Sequence, residues 1–388
     1  MRGPYYEPTG ATSRAHGATI ALVTGALPTS DRPALRGTVL ALVSAAAFGI
    51  ATPLVQRFSH GVGSFATAAL LYTGAAVVGL VSQSKDEAKL GREHLRRVVA
   101  IAVLGAGLAP AALAWGLART SGTAASLMLN LEAVFTLVLA RLFYAEHVGR
   151  RVGGAAALLV AGGALLVFDR GGAGGGAPSV LGLAAVALAA LGWAMDNTLA
   201  KPLSELDPAA VVAAKGALGA MLSSCAALAL GEAWPAPLPM LVLVLVGATG
   251  YGVSLRLYLK AQRALGAGRT ASVFASAPFC GALVAWALGE PAGVYAAAAG
   301  AVMAIGLVLH MTERHEHEHA HDTILHEHAH RHDDAHHEHV HEPMPEGEHT
   351  HAHRHAKMVH RHPHVPDVHH GHAHDAVPES ERPHGHTH

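Results

Sequence analysis

The chain has 388 residues, 51% of them hydrophobic and only 14% charged, with a formal net charge of −1 at pH 7. From residue 37 to residue 310 the apolar residues form repeated blocks separated by short polar breaks. Each block is close to the roughly 20 residues that carry a helix across the hydrocarbon layer, which excludes a soluble globular fold for this region. Cys225 and Cys280 stand alone inside apolar blocks, so no disulfide framework is available and both read as small buried hydrophobes.

In chain order, residues 1–35 are a leader with one apolar stretch, Gly17 to Leu27, too short to span and followed by no convincing cleavage site. It reads as a disordered cytosolic segment and not as a signal peptide. Ten apolar blocks follow at about 37–57, 62–82, 97–117, 122–143, 152–168, 179–200, 209–230, 238–259, 270–289 and 292–310. Five lie in residues 36–170 and five in 179–310, with a glycine-rich linker at 171–178 between the two sets. Residues 311–388 form a polar tail.

Charge orients the spans. With the N-terminus inside, the cytosolic side collects Arg2, Arg14, Arg32, Arg36, Lys85, Lys89, Arg92, Arg96, Arg97, Arg150, Arg151, Lys201, Lys260, Arg263 and Arg269. The outer side receives Arg57, Arg119 and Arg170. This positive-inside bias, with an even number of spans, predicts cytosolic N- and C-termini in a bacterial cytoplasmic (inner) membrane.

The halves echo one another. Ala46-Ala47-Phe48-Gly49-Ile50-Ala51 in the first span reads like Ala189-Ala190-Leu191-Gly192-Trp193-Ala194 in the sixth. Ala133, Phe135, Leu139 and Glu146 align with Ala277, Phe279, Leu283 and Glu290. A repeat of five spans is odd, so the second copy is inverted relative to the first. Inverted repeats are how many secondary transporters build two access states around a site near the midplane.

On Phe48-Gly49 with Pro53, Leu191-Gly192-Trp193 with Lys201, Ala277-Pro278-Phe279 with Gly289-Glu290, and Ala133-Val134-Phe135 with Ala145-Glu146, the chain resembles EamA-type members of the drug/metabolite transporter superfamily. Val134 and Ala145 stand where that family often has proline and glycine. The resemblance covers about residues 37–310. It implies an all-α polytopic membrane protein, ten transmembrane helices as two inverted five-helix repeats, and transport of a small molecule. It leaves the substrate open among amino acids, sugars, nucleotides and other metabolites.

Ionisable groups inside spans are costly and usually face a cavity or a partner. The candidates for a substrate or ion pathway are Asn130 and Glu132 in the fourth span, Asp196 and Asn197 in the sixth, Lys215 in the seventh, Arg256 in the eighth and Pro278 in the ninth. Glu132 or Asp196 is expected to carry a proton or to pair with a cationic substrate group, and Arg256 or Lys215 to meet a carboxylate. The competing reading is a structural ion pair such as Asp196 with Lys215. Glu146 and Glu290 end their spans at matching positions and are expected to pair with loop basic residues such as Arg150. Gly74, Gly79, Gly153, Gly162, Gly163, Ala296 and Gly300 are expected to permit close helix packing.

All but four of the 31 histidines lie from His310 onward. They recur as HxH in His315, His317, His319 and His321, in His326, His328, His330 and His332, and in His349, His351, His353 and His355; a further cluster is His369, His370, His372 and His374. In an extended chain alternate side chains share a side, and neutral imidazole is a ligand for zinc, nickel and cobalt. With Pro343, Pro345, Pro363, Pro366, Pro378 and Pro383 and few large apolar residues, the tail is expected to be disordered. It would hold many exchangeable divalent-metal sites.

The sequence therefore predicts a secondary transporter moving a small metabolite or drug-like solute, by proton-coupled efflux, with a metal-binding cytosolic tail. No Walker motif points to ATP as the driver. A second reading is a zinc, nickel or cobalt transporter whose tail collects or senses the metal, though no histidine pairs with an acid at HxxxD or HxxxE spacing inside a span. A third is a membrane-anchored metal store or sensor. Its partners are membrane lipid, a small-molecule substrate and divalent metal ions, with no nucleic acid. No enzyme activity and no required cofactor are expected, and the sequence specifies no oligomeric state.

Overall fold

A computed structural model describes residues 31–83, 90–144, 149–169, 180–203, 206–291 and 293–311, and in the tail 316–321, 325–330, 349–354 and 358–363. The apolar blocks are helical because a segment in lipid has no water to satisfy its backbone and must bond internally. The helices are α1 (Asp31–Phe58), α2 (Ser64–Val81), α3 (Arg92–Leu117), α4 (Gly122–Phe143), α5 (Arg150–Leu166), α6 (Val180–Ala200), α7 (Pro208–Ala229), α8 (Pro237–Leu265), α9 (Arg269–Ala287) and α10 (Val294–Met311). Among the described residues, nine of these are long and apolar enough to cross a membrane. The remaining one, α5, has 17 residues, about 25 Å at 1.5 Å per residue, and packs along α10. Helix α1 begins at Asp31, inside the stretch that composition assigns to the leader. The linker at 171–178 and the leader before Asp31 lie outside the described residues.

The packing repeats with the sequence. Helix α1 packs on α8 and α9, and α6, its counterpart, packs on α3 and α4. Helix α2 packs on α7, α4 on α9 and α5 on α10, each against its own equivalent. The irregularities repeat too. Helix α3 carries a π-helical segment at Ala102–Leu108 and α8 carries one at Gly247–Val253. Helix α4 breaks at Leu129 and Asn130, where the Asn130 Nδ2 donates to the Leu127 carbonyl at 3.0 Å. Helix α9 breaks at Ala275 and Ser276, where the Ser276 hydroxyl donates to the Val273 carbonyl at 2.8 Å. In both, a short polar side chain takes a backbone acceptor and competes with helical bonding. Pro278 adds to the second break by removing a donor, whereas Val134 leaves the first to Asn130 alone.

Close approach depends on missing side chains. A Cβ on Gly79 would meet the Ala213 backbone, one on Gly74 the Val244 carbonyl, and one on Gly162 the Met303 side chain. Gly153 faces open space and takes no part in such packing. Cys225 is exposed and not buried, on a surface shared with exposed Met221, Leu222 and Leu228. A lipid-facing surface accepts a thiol as readily as a core does.

Within the tail, where composition leads to the expectation of disorder, the described stretches are four six-residue strands: β1 (Glu316–His321), β2 (Leu325–His330), β3 (His349–Arg354) and β4 (Met358–Pro363). Strand β1 pairs antiparallel with β4, and β2 with β3. The HxH repeat has the period of a strand. The register sets His317 opposite His362 and His319 opposite His360. It also sets His326 opposite His353, His328 opposite His351 and His330 opposite His349. His315, His332, His355, His369, His370, His372 and His374 lie outside the described residues.

Candidate functional site

A cavity lies between the halves, lined by residues of α1, α2, α4, α6, α7, α8 and α9. The break in α4 precedes Glu132 by one residue, and the Glu132 side chain reaches α6, where its Oε1 accepts from Asn197 Nδ2 at 2.7 Å. Next to Asn197, Asp196 Oδ2 accepts from Lys215 Nζ at 2.5 Å. The side chains of this pair are only 3% and 4% exposed, so the bond is a buried ion pair between α6 and α7. The other oxygen, Asp196 Oδ1, is buried and has no hydrogen-bond partner among the described residues. Gly105 on α3 makes room for the carboxylate: a Cβ there would meet Asp196.

The π-helical segments shape the aromatic wall that adjoins it. In α3, the widened turn leaves the Gly105 carbonyl available, and it accepts from Tyr72 Oη at 2.6 Å and Trp193 Nε1 at 3.0 Å. π-Segments inside helices often mark functional positions. In α8 the second segment presents Tyr251, whose buried hydroxyl has no partner among the described residues. Phe48 sits at the centre of the rings. Its centroid is 5.3 Å from Trp193, 5.6 Å from Tyr251 and 5.5 Å from Phe274. Phe274 is in turn 5.0 Å from Tyr258. The cavity thus has an aromatic wall and a charged wall, with Ser254 on the rim tied to Ser44 through reciprocal bonds of 2.7 and 2.9 Å.

The cavity is off-centre along the bundle. An adjoining cavity shares Asp196, Asn197, Lys215, Leu255 and Tyr258, and continues through Ala200, Val211, Leu259 and Gln262. These residues lie toward the end where α1 begins and α10 finishes, here the terminal end. At the far end, acids cap helices of the other half. Glu290, beyond α9, accepts from the Gly122 and Thr123 amides and the Thr123 hydroxyl, each at 2.8 Å. Glu232, after α7, accepts from the Ala66 amide at 2.9 Å, and Asp169, after α5, from the Ala296 amide at 3.4 Å. Carboxylates at helix N-termini satisfy orphan amides and oppose the helix dipole favourably.

Of the residues singled out in the sequence, the structure brings Glu132, Asp196, Asn197 and Lys215 together on one wall. Asn130 is one turn away, bonded to Leu127 and 3.6 Å from the Met303 sulfur, and does not line the cavity. Arg256 turns away from it and donates to the Ser82 carbonyl at the end of α2 at 3.3 Å. Pro278 is buried at the start of the second segment of α9. Depth in a span is readable from sequence, but the direction a side chain takes around the helix depends on neighbours, which is why Arg256 and Asn130 fall elsewhere. Glu290 serves as a helix cap between the halves and not as a partner of a loop basic residue; Glu146 lies outside the described residues. The aromatic wall was not singled out as a site. Phe48 and Trp193 were legible as repeat positions, while Tyr72, Tyr251, Tyr258 and Phe274 carry no sequence signal that separates them from packing aromatics.

No curated protein matches the chain. A solved structure, titled only "Crystal structure of protein", has the same fold, with a TM-score of 0.54 at 20% identity over 72% of this chain and 98% of that one. The model of the EamA-like transporter family matches twice, at residues 35–168 and 180–312, which coincide with the two five-helix halves. Matched by that family model over more than half of its length, the chain belongs to the EamA-like transporter family.

Proposed function

We propose that this chain, a multi-pass membrane transporter of the drug/metabolite transporter superfamily, is a secondary active transporter that exports a small metabolite or drug-like solute, with Glu132 as the proton-carrying group. The observation that carries this reading is the cavity between the repeats, where Glu132, Asp196 and Lys215 meet an aromatic wall. Intramembrane ionisable residues grouped at a repeat interface, beside broken helices, are the arrangement expected of a transport site. Export is the reading supported by the adjoining cavity, which continues the site toward the terminal end. Basic residues Arg36, Arg92, Arg96, Arg97, Arg150 and Arg151 belong to the terminal end, and the positive-inside bias supports reading that end as cytosolic in a bacterial inner membrane. The solute then enters from the cytosol, with the capping acids at the far side.

The tail is the second part of the proposal. It binds zinc, nickel or cobalt, a reading supported by the density of its HxH repeats. Metal as the transported solute is disfavoured by the cavity's chemistry, because the Lys215 ammonium already occupies one of the Asp196 oxygens.

Flux into proteoliposomes tests both parts. Full-length protein and a version ending at Met311 are compared for zinc, nickel and cobalt, and for a panel of amino acids and other metabolites under an imposed pH gradient. The expected outcome is metabolite flux in both versions and metal flux in neither. Metal flux retained by the shortened protein would make the cation the substrate. Metal binding without flux of any solute would make the protein a store or sensor.

A further inference from the structure

The charged wall of the cavity keeps an acceptor open while its donors are engaged. The cationic group there, Lys215 Nζ, is held by Asp196 Oδ2, and Asn197 Nδ2 is held by Glu132 Oε1. Against them stands Asp196 Oδ1, which is buried and has no partner among the described residues. With the ion pair neutralised internally, an ionised Glu132 leaves the cavity with one negative charge in excess. Lining the same cavity are Phe48, Trp193 and Tyr251, clustered with centroid separations of 5.3–6.2 Å. Aromatic faces attract cations and stack on flat apolar groups.

We infer that the substrate class is an organic amine: a cationic ammonium group on a flat apolar body, with the ammonium donating to Glu132 and Asp196 Oδ1 and the body lying against the Phe48–Trp193–Tyr251 wall. This rests on the reading of the cavity as the transport site. A carboxylate on the same body is selected against, since it meets carboxylate oxygens while the neighbouring ammonium is taken. The site therefore prefers amines over zwitterionic amino acids and over acids of the same shape. Discrimination comes from unfavourable groups presented to the wrong ligand as much as from contacts with the right one.

The test is equilibrium binding to the purified full-length protein in detergent, using three probes that share one ring system and differ in charge: tryptamine, tryptophan and indole-3-acetate. The expected result is that tryptamine binds at least tenfold more tightly than the other two. Glu132→Gln, which keeps an acceptor for Asn197, is expected to remove that preference while tryptophan binding changes less than threefold. If Glu132→Gln fails to fold, Phe48→Leu supplies the second variant, with tryptamine affinity expected to drop about fivefold. Equal affinity for the three probes, tighter binding of tryptophan or indole-3-acetate, a tryptamine preference that survives Glu132→Gln, or no binding of any probe would each overturn the amine assignment. The transport reading stands or falls separately, on metabolite flux in proteoliposomes.

Discussion

Asp196 and Lys215 form a buried pair, and removing one member costs more than removing both. With side-chain exposures of 3% and 4%, neither charge can turn to water when its partner is lost. Breaking such a pair by substituting one partner costs about 3–5 kcal/mol, whereas replacing both with well-packed neutral groups of similar volume is often close to neutral. The two single variants should also differ. Lys215→Met leaves Asp196 and Glu132 as two acids in one cavity, while Asp196→Asn leaves Lys215 beside the remaining carboxylate of Glu132. Lys215→Met is therefore expected near about 5 kcal/mol and Asp196→Asn near about 3 kcal/mol. The double variant should lie within about 1 kcal/mol of the wild type, giving a coupling of several kcal/mol in a double-mutant cycle. Reversible unfolding in mixed micelles, followed by tryptophan fluorescence, reads all four corners. Single variants that each lose less than about 1 kcal/mol, or a double variant no more stable than the worse single, would refute the argument.

Glu132→Gln should abolish solute flux in proteoliposomes while leaving the unfolding midpoint nearly unchanged, because Gln still accepts from Asn197; full flux would remove Glu132 from the mechanism. Glu290→Ala removes three charge-assisted bonds at the first turn of α4, and is expected to cost about 2–3 kcal/mol in the same unfolding assay. A loss below about 0.5 kcal/mol would show that water replaces the carboxylate there. A peptide of residues 311–388 should bind zinc at pH 7.5 and largely lose it at pH 5.5, as judged by titration calorimetry. Free imidazole titrates near about pH 6.5, so raising the pH frees the ligand nitrogens and lowering it gives them to protons. Equal affinities at the two pH values would exclude the histidines as the ligands.

Much of the architecture was legible because lipid imposes strict rules. Span length and the matching motifs at Phe48-Gly49 and Gly192-Trp193 are set by the bilayer and by duplication, and among the described residues nine long apolar helices and two matching halves answer to them. The acids and the lysine of the cavity were legible for a related reason: Glu132, Asp196 and Lys215 are too costly in lipid to be placed without a partner. The aromatic wall was not, because Tyr72, Tyr251, Tyr258 and Phe274 come from three helices and each alone reads as packing. The π-helical segments at 102–108 and 247–253 leave no pattern in an Ala- and Gly-rich sequence, though they decide where Gly105 and Tyr251 stand. Glu290 shows the limit from another side. Its position at a span end was visible, but its partner, the first turn of α4, is 168 residues away from Gly122 in the chain and depends on how the halves interlock.

The packing of helices against their own equivalents has a consequence for how such a machine can move. If the halves trade shapes, the contact of α1 with α8 and α9 becomes that of α6 with α3 and α4, so those surfaces must slide. The contacts of α2 with α7, α4 with α9 and α5 with α10 are each carried onto themselves. They are the fixed points of the exchange, a fulcrum that can stay tightly locked, glycine against backbone at Gly79 and Ala213, while everything around it rocks.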